Sequence, residues 1–480
     1  MGKFKNIISA ILLIISSLAI ILLFQSCANQ LPPGGGEEDK TPPKLTFQSP
    51  DSSSLNFRGN SIVMEFDEYV DRRSFQEAFH ISPPAEGEIN YDWSGKEVEI
   101  TFAKPLWKTE PNKTFVITVN SNLKDIRGNS LTSPITFAFS TGPRIDKAGI
   151  DGLVFNKTED KPVTILAFRL GLTDSSYEPA KNLADYITET SSEGNYNLTN
   201  LSPGKYRIIA VEDDDRNLLY TTDRESYAVL PYDINLEDSA QLTGVDFYMK
   251  KVIPSGTSVP ETDISDFFKD SLDIVYCSVE NNTRSVLHSQ SIFFFFNKHK
   301  PAREEFVNSF SIKDDAGSSL QVVFNWENDS LVEIFPPGKF GYAKDYSASF
   351  KINYAKDSVY NYELKFRTVS ANSFGEVKGS VRYLHNQAEE QEMIPVYADF
   401  VSYNIKPAVK YSFTVSDTTF DFKNIFEADY SLFSYIDKNR NNQYDYGNPY
   451  PFEYSEPFYV YPQKISVKGG WAIENVIIKF

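Results

Sequence analysis

Cysteine is nearly absent from this sequence, with two residues in 480, Cys27 and Cys277. No disulfide framework can be built from them, so the body must be held by hydrophobic cores. Histidine is almost as scarce: His80, His288, His299 and His385 sit in four separate segments. That spacing offers neither paired ligands for a transition metal nor a base beside a serine or cysteine nucleophile. No glycine-rich phosphate loop occurs. Positive charge is also in deficit, 47 Lys and Arg against 65 Asp and Glu for a net charge of -18. Without a basic stripe to meet a phosphate backbone, nucleic acid is a poor candidate partner.

What the chain has instead is aromatic and β-branched residues. Aromatics make up 14% of it, 37 Phe and 28 Tyr against only 4 Met, and Val, Ile and Thr are spread throughout, which favours strands. A chain of 480 residues is too long for one core and fits three or four domains. The expected class is all-β.

The one long apolar run, Ile7 to Phe24, follows Lys3 and Lys5 and ends at Gln25, Ser26 and Cys27. Charged, apolar and small residues in that order mark residues 1–26 as a secretory signal. At about 1.5 Å per residue the run could also nearly span a bilayer as a retained helix. Leu23, Phe24, Gln25, Ser26 and Cys27 resemble a bacterial lipobox. The resemblance implies cleavage before Cys27 and a diacylglycerol on its thiol, hence a membrane anchor. Residues 27–43 then read as the lipidated cysteine and a Pro/Gly tether, similar to those of Bacteroidota lipoproteins. In that group acidic residues directly after the cysteine mark surface export. Here the acidic cluster starts at Glu37, ten positions on, which favours the periplasmic face of the outer membrane over the cell surface.

Two kinds of repeat set the domain order. Ser61 to Asp67 returns as Ser291 to Asn297, and the spacing carries Phe75, Phe79 and Ile81 onto Phe306, Phe310 and Ile312. A second repeat opens at Ile150, Asp151 and Gly152, echoed by Val377, Lys378 and Gly379. In it Tyr196, Leu198, Leu201, Tyr206 and Ile208 map onto Phe420, Phe422, Ile425, Tyr430 and Leu432 at a constant offset of 224. The order is A, B, A, B over residues 44–143, 147–251, 263–371 and 374–480, with 252–262 as linker. Short alternating runs between Gly, Pro, Asn and Asp make each unit an expected β-sandwich. The run Ile292 to Phe296 is expected to be a central strand, and Cys277 a buried thiol.

Unit A, with Pro42, Pro43, Ile62 to Tyr69, Leu123 to Asn129 and Phe137 to Thr141, resembles the bacterial Ig-like domain of surface-layer proteins. The third unit is a divergent copy. Unit B, with Gly194, Asn195, Tyr196, Leu198, Leu201 and Pro203 to Tyr206, resembles the carboxypeptidase-regulatory or prealbumin-like sandwich. Four tandem sandwiches, Ig-like and prealbumin-like alternating, are the architecture these resemblances imply.

One segment carries metal-ligand spacing: Asp437, Asn439, Asn441, Gln443 and Asp445, followed by Gly447. Oxygen side chains at alternating positions of a turn can wrap a hard cation such as calcium, and Asn442 can take the left-handed conformation such a turn needs. The pattern resembles an EF-hand or dockerin loop. Its twelfth position is Asn448, however, and Tyr446, Pro449 and Pro451 forbid a following helix. Glu453 or Glu456 would have to fold back to supply the acid. The other reading is an Asx-rich turn satisfied by its own backbone. The equivalent loop, Asp213, Asp215 and Asn217, has Thr221 and Arg224 at the ninth and twelfth positions and reads as a degenerate copy.

Eight aromatics, Tyr444, Tyr446, Tyr450, Phe452, Tyr454, Phe458, Tyr459 and Tyr461, crowd the same stretch and form either a contact surface or a repacked edge. The functional expectation is a lipid-anchored, non-catalytic envelope adaptor that binds outer-membrane proteins. A glycan-binding lipoprotein is the alternative, and a hydrolase comes third for want of a nucleophile motif.

Overall fold

In the computed structural model the described residues are 39–159, 161–171, 177–252, 275–296, 300–355, 358–383, 395–405, 408–415 and 417–480. The signal, Cys27, most of the tether, linker residues 253–262, His299 and His385 lie outside them. Among the described residues no helix is long and apolar enough to cross a membrane.

Alternation along each strand decides its two faces, because successive side chains of a strand point to opposite sides. In Ser61–Phe66 the buried residues are Ile62, Met64 and Phe66, and in Glu97–Phe102 they are Val98, Ile100 and Phe102. These two strands are the middle of a sheet ordered Leu45–Ser49, Ser61–Phe66, Glu97–Phe102 and Ile89–Ser94. In the facing sheet Thr114–Val119 is the middle strand, paired with Phe79–Ser82 on one side and Ile135–Ser140 on the other. The short helix Arg72–Ala78 plugs one end of the sandwich with Phe75. Its cap is Asp71, which accepts from the Ser74 N–H at 2.7 Å, filling one of the donors a helix start leaves open.

The third unit has the same order: Val275–Cys277, Ile292–Phe296, Leu331–Phe335 and Val323–Trp326 form one sheet, and Ser311–Asp314, Asp345–Ala355 and Ser358–Thr368 carry the other. Ile292–Phe296 is an inner strand with Phe294 and Phe296 fully buried, and helix Arg303–Ser309 brings in Phe306 where the first unit has Phe75. Burial raises the Cys277 thiol pKa to about 11, so it stays protonated.

The second and fourth units share another topology. In the second, Tyr186–Glu189, Thr164–Leu170, Gly204–Val211 and Tyr227–Val229 form one sheet. In the fourth, Lys410–Val415, Val396–Ser402, Asp429–Ile436 and Phe458–Val460 take the same places. The opposite sheet centres on Ala148–Phe155 in one and Phe374–Arg382 in the other, each joined in parallel by the unit's last strand or strands. Gly152 and Gly379 explain the repeated glycine, since a methyl on either would collide with the carbonyl of that parallel neighbour, Val245 or Val476. Before the inner strand, Asn200 and Asn424 adopt positive φ of 58° and 60°. Four residues after Ser202 and Phe426, the buried Tyr206 and Tyr430 hydroxyls donate back to their carbonyls at 2.7 and 2.8 Å.

The units are not separate beads. Val116 and Ala138 of the first unit belong to the core of the second, and Ser121 N and Oγ donate to Glu189 Oε2 across that junction at 3.0 and 2.8 Å. The second and fourth units also pack directly against each other, although more than a hundred residues of the third intervene.

Candidate functional site

Asp437 lies at the end of the inner strand Asp429–Ile436 of the fourth unit and is fully buried. Its Oδ1 accepts the Asn441 N–H at 3.1 Å and its Oδ2 the Asn442 N–H at 2.8 Å. Asn439 Oδ1 accepts from Asn441 N, Asn441 Oδ1 accepts from Gln443 N, and Asp445 Oδ2 takes the side-chain amides of Asn439 and Asn441. Asp437, Asn439, Asn441 and Asp445 are therefore brought together, while Gln443 takes part through its backbone. Arg440 and Asn442 hold positive φ of 61° and 63°, the conformation that winds the loop tightly.

Glu456 folds back onto the loop. Its Oε1 accepts the Lys438 N–H at 2.6 Å and its Oε2 the Asp445 N–H at 3.2 Å, while Glu453 only pairs in a short ribbon with Asn448. Burial raises the Glu456 pKa, helped by the charges of Asp445 and Asp437 and opposed by those two N–H bonds.

The loop at Asp213 is built the same way. Asp213 Oδ1 and Oδ2 accept from Asn217 N and Leu218 N at 3.1 and 2.9 Å, and Arg216 and Leu218 hold positive φ of 58° and 61°. Glu225 stands where Glu456 stands, accepting from Asp214 N at 3.2 Å and Thr221 N at 2.8 Å. Carboxylate oxygens of Asp213, Asp215 and Glu225 come within 4.8 Å of one another. Burial first, then the Asp213 and Asp215 charges, push the Glu225 pKa up to about 7. This loop therefore has a returning acid like that of the Asp437 loop, which its ninth and twelfth positions do not reveal. An EF-hand places its acid at the twelfth position, whereas here the acid returns from the segment that closes the loop, after a variable insertion. The sequence signal was available: Glu225 and Glu456 each stand just before the strand that pairs with the sheet's inner strand, Tyr227–Val229 or Phe458–Val460.

The aromatic stretch has a partner within the chain. Tyr248 of the second unit packs against Phe433 at 4.3 Å between ring centroids, and Phe458, Tyr444 and Tyr446 surround it at 5.6, 5.8 and 6.1 Å. Phe452 meets Tyr177 at 5.4 Å and lies under the Arg207 guanidinium. Arg207 also forks onto Asp233, to which Tyr454 donates its hydroxyl at 2.9 Å. Tyr177 and Tyr227 hydroxyls donate to the carbonyls of Pro449 and Gly447. Tyr459 and Tyr461 pack on the fourth unit's own core, and Tyr450 is exposed. Most of this stretch is thus a seam between two sandwiches.

The remaining histidines have structural surroundings. Burial lowers the His80 pKa to about 4, and His288 Nε2 lies 3.0 Å from the Tyr342 hydroxyl.

Residues 39–141 match the family model of the bacterial Ig-like domain. The first sandwich is thus a bacterial Ig-like domain by sequence, and the chain as a whole is nearly all-β, a series of tandem β-sandwiches. No curated protein matches the sequence. Solved structures with some likeness include an L,D-transpeptidase from Mycobacterium smegmatis, at 15% identity over 35% of this chain and 76% of that one, with a TM-score of 0.16. Another is the N-terminal part of the bacterial S-layer protein SbsC, at 17% identity over 35% and 40%, with a TM-score of 0.16. A longer SbsC structure aligns at 10% identity over 89% and 68%, again with a TM-score of 0.16. Likeness at this level carries no argument about what the chain does.

Proposed function

We propose that this chain is a lipid-anchored, non-catalytic envelope protein. In this reading the lipid on Cys27 holds it in the outer membrane, facing the periplasm, and its sandwiches bind an outer-membrane protein as an accessory subunit. The observation that supports this most is architectural. The described strands are spent on sandwich pairs, and the second and fourth units are locked by the seam of Tyr248, Phe452 and Phe458. A chain folded back on itself in this way presents outer faces fixed relative to one another, which suits a scaffold. The same seam takes up most of the aromatics that a glycan-binding surface would need exposed.

Calcium belongs to the proposal as a structural ion of the Asp437 loop. The support is the return of Glu456 onto Lys438 and Asp445, which brings a carboxylate to a turn already rich in oxygen.

Affinity purification from native membranes tests the adaptor reading. A stoichiometric co-purifying envelope protein is expected, lost in a Cys27→Ser variant that no longer takes up lipid label. Retention on polysaccharide with no co-purifying protein would favour the glycan-binding alternative, and label persisting in the variant would refute the anchor.

A further inference from the structure

Between the Ig-like sandwich and the sandwich that follows it lies a largely enclosed polar cavity of about 60 Å³. Glu77 lines it from the helix that plugs the first sandwich, His80 from the sheet strand that follows, and Asn120 and Asn122 from the turn after Thr114–Val119. Glu189, Asp213 and Arg216 line it from the second sandwich. The cavity is separate from the Asp437 loop and shares no residue with it.

Charge is unbalanced there. Arg216 lies 3.6 Å from Glu77, and its charge also reaches Glu189, so one cation faces three carboxylates. Glu189 and Asp213 have no Lys or Arg within ion-pair distance among the described residues. Ser121 uses only Oε2 of Glu189, and Oε1 has no hydrogen bond among the described residues. His80 contributes no positive charge, since burial keeps it neutral near pH 7.

Acceptors are in excess as well. Asn120 is only 2% exposed, and its Oδ1 is buried without a hydrogen-bond partner. Asn122 Oδ1 is buried without a partner too. Unpaired buried acceptors are costly, and uncompensated buried carboxylates more so. Water would satisfy the acceptors but would leave the charge. A dication does both.

We propose that this cavity binds calcium, held by the side-chain oxygens of Glu189, Asp213, Asn120 and Asn122, and that the ion clamps the two sandwiches at their junction. Carboxylate and amide oxygens drawn from separate elements suit a hard ion with flexible coordination. The space takes an ion with a few waters, since one water needs roughly 10–15 Å³. Asp213 joins the two carboxylate features of the second sandwich, serving the loop through Asn217 and Leu218 and the cavity through its position on the wall.

The test is calcium binding by equilibrium dialysis, with calcium chloride as the only added ligand, on the full chain carrying Asp437→Ala and Asp445→Ala so that the fourth-unit loop is silent. One calcium per chain is expected. Adding Glu189→Gln, which can keep the Ser121 bonds, should weaken binding at least about tenfold. Asp215→Asn, beside Asp213 in the loop but off the cavity wall, should weaken binding far less than Glu189→Gln does. Asn120→Asp adds a negative oxygen at the unpartnered position and should tighten binding. If binding is lost in Asp215→Asn and kept in Glu189→Gln, the ion belongs to the loop and the cavity proposal falls. Absence of binding up to about 10 mM, above the weakest affinities of extracellular calcium modules, means a cavity of ordered water only and also overturns it, as does Asn120→Asp leaving the affinity unchanged or weaker. The proposed calcium of the Asp437 loop is read separately, as the difference in stoichiometry between the unmodified chain and the double variant.

Discussion

The guanidinium carbon of Arg207 stands 3.7 Å from the centroid of the Phe452 ring, while its nitrogens fork onto Asp233 at 3.0 and 3.1 Å. One residue thus ties the second sandwich to the fourth through both a ring face and a carboxylate that Tyr454 also holds. Arg207→Ala removes the cation from Phe452 and leaves Asp233 with Lys205 and Tyr454 alone. Breaking a buried pair from one side costs about 3 to 5 kcal/mol, and the remaining partners should keep the loss near about 3. Phe452→Ala should cost about 1 to 2 kcal/mol. A double-mutant cycle read by urea unfolding should return a coupling of about 0.5 to 2 kcal/mol, and a value near zero would show that the seam does not depend on this contact.

Acid should loosen the same seam. Burial pushes the Asp233 pKa up, but hydrogen bonds from Arg207, Lys205 and Tyr454, with the Arg207 charge, outweigh it and hold the carboxyl below its ordinary value of 3.8. A carboxylate depressed in the folded state contributes stability that is complete above 3.8 and is lost as pH falls through the lower folded value. Thermal melting between pH 5 and pH 2 should show this loss in the unmodified chain. In Asp233→Asn that part of the slope should vanish, and an unchanged slope would assign the acid sensitivity elsewhere.

Offsets in the sequence made much of this fold legible. Tyr206 with Tyr430, and Gly152 with Gly379, recur because each performs one backbone task, a hydroxyl returned to a carbonyl or room for a parallel strand. Positions dictated by backbone geometry leave a pattern that survives divergence of the rest. The Asp437 loop was legible for a related reason, since alternating oxygens cap successive N–H groups of a tight turn. Glu225 and Glu456 were harder, because they return after insertions of unequal length and no fixed spacing marks them. The partner of the aromatic stretch was not legible at all. Tyr248 carries no signal that Phe433 and Phe458 will meet it, because such a contact depends on how whole sandwiches pack.

Gly379→Ala should damage the fourth sandwich selectively. The new methyl would run into the Val476 carbonyl and the Phe420 ring, forcing the last strand away from its parallel register with Phe374–Arg382. Overpacking of this kind costs about 1 to 3 kcal/mol. Gly470→Ala is the contrasting variant: its φ of 75° is strained for alanine, but nothing lies within 4 Å of the added carbon, so its cost should stay near about 1 kcal/mol. Hydrogen exchange should show the amides of Ala472–Lys479 losing protection in the first variant and keeping it in the second. Equal protection in both would mean that the parallel strand tolerates the methyl.

Calcium should stabilise the fourth sandwich through the Asp437 loop. The buried Asp437 and the returning Glu456 both accept N–H groups of one turn, and the Asn439 and Asn441 amides hold Asp445 in it. An ion that binds only the folded loop stabilises it by about 2.7 kcal/mol at 100 times its dissociation constant. For a unit of this size each kcal/mol raises the melting temperature by about 4 to 8 °C. The transition of the fourth unit in the full chain should therefore shift upward by several degrees in millimolar calcium, and less in magnesium, which keeps its waters and demands a tighter octahedral shell. Asp437→Ala with Asp445→Ala should abolish the shift. Because Asp437 also caps Asn441 and Asn442, the variant should melt lower even without calcium, so the decisive quantity is the calcium-dependent difference within each protein. An unmodified chain whose fourth-unit transition stays in place as calcium is added would leave the loop as a self-satisfied Asx turn.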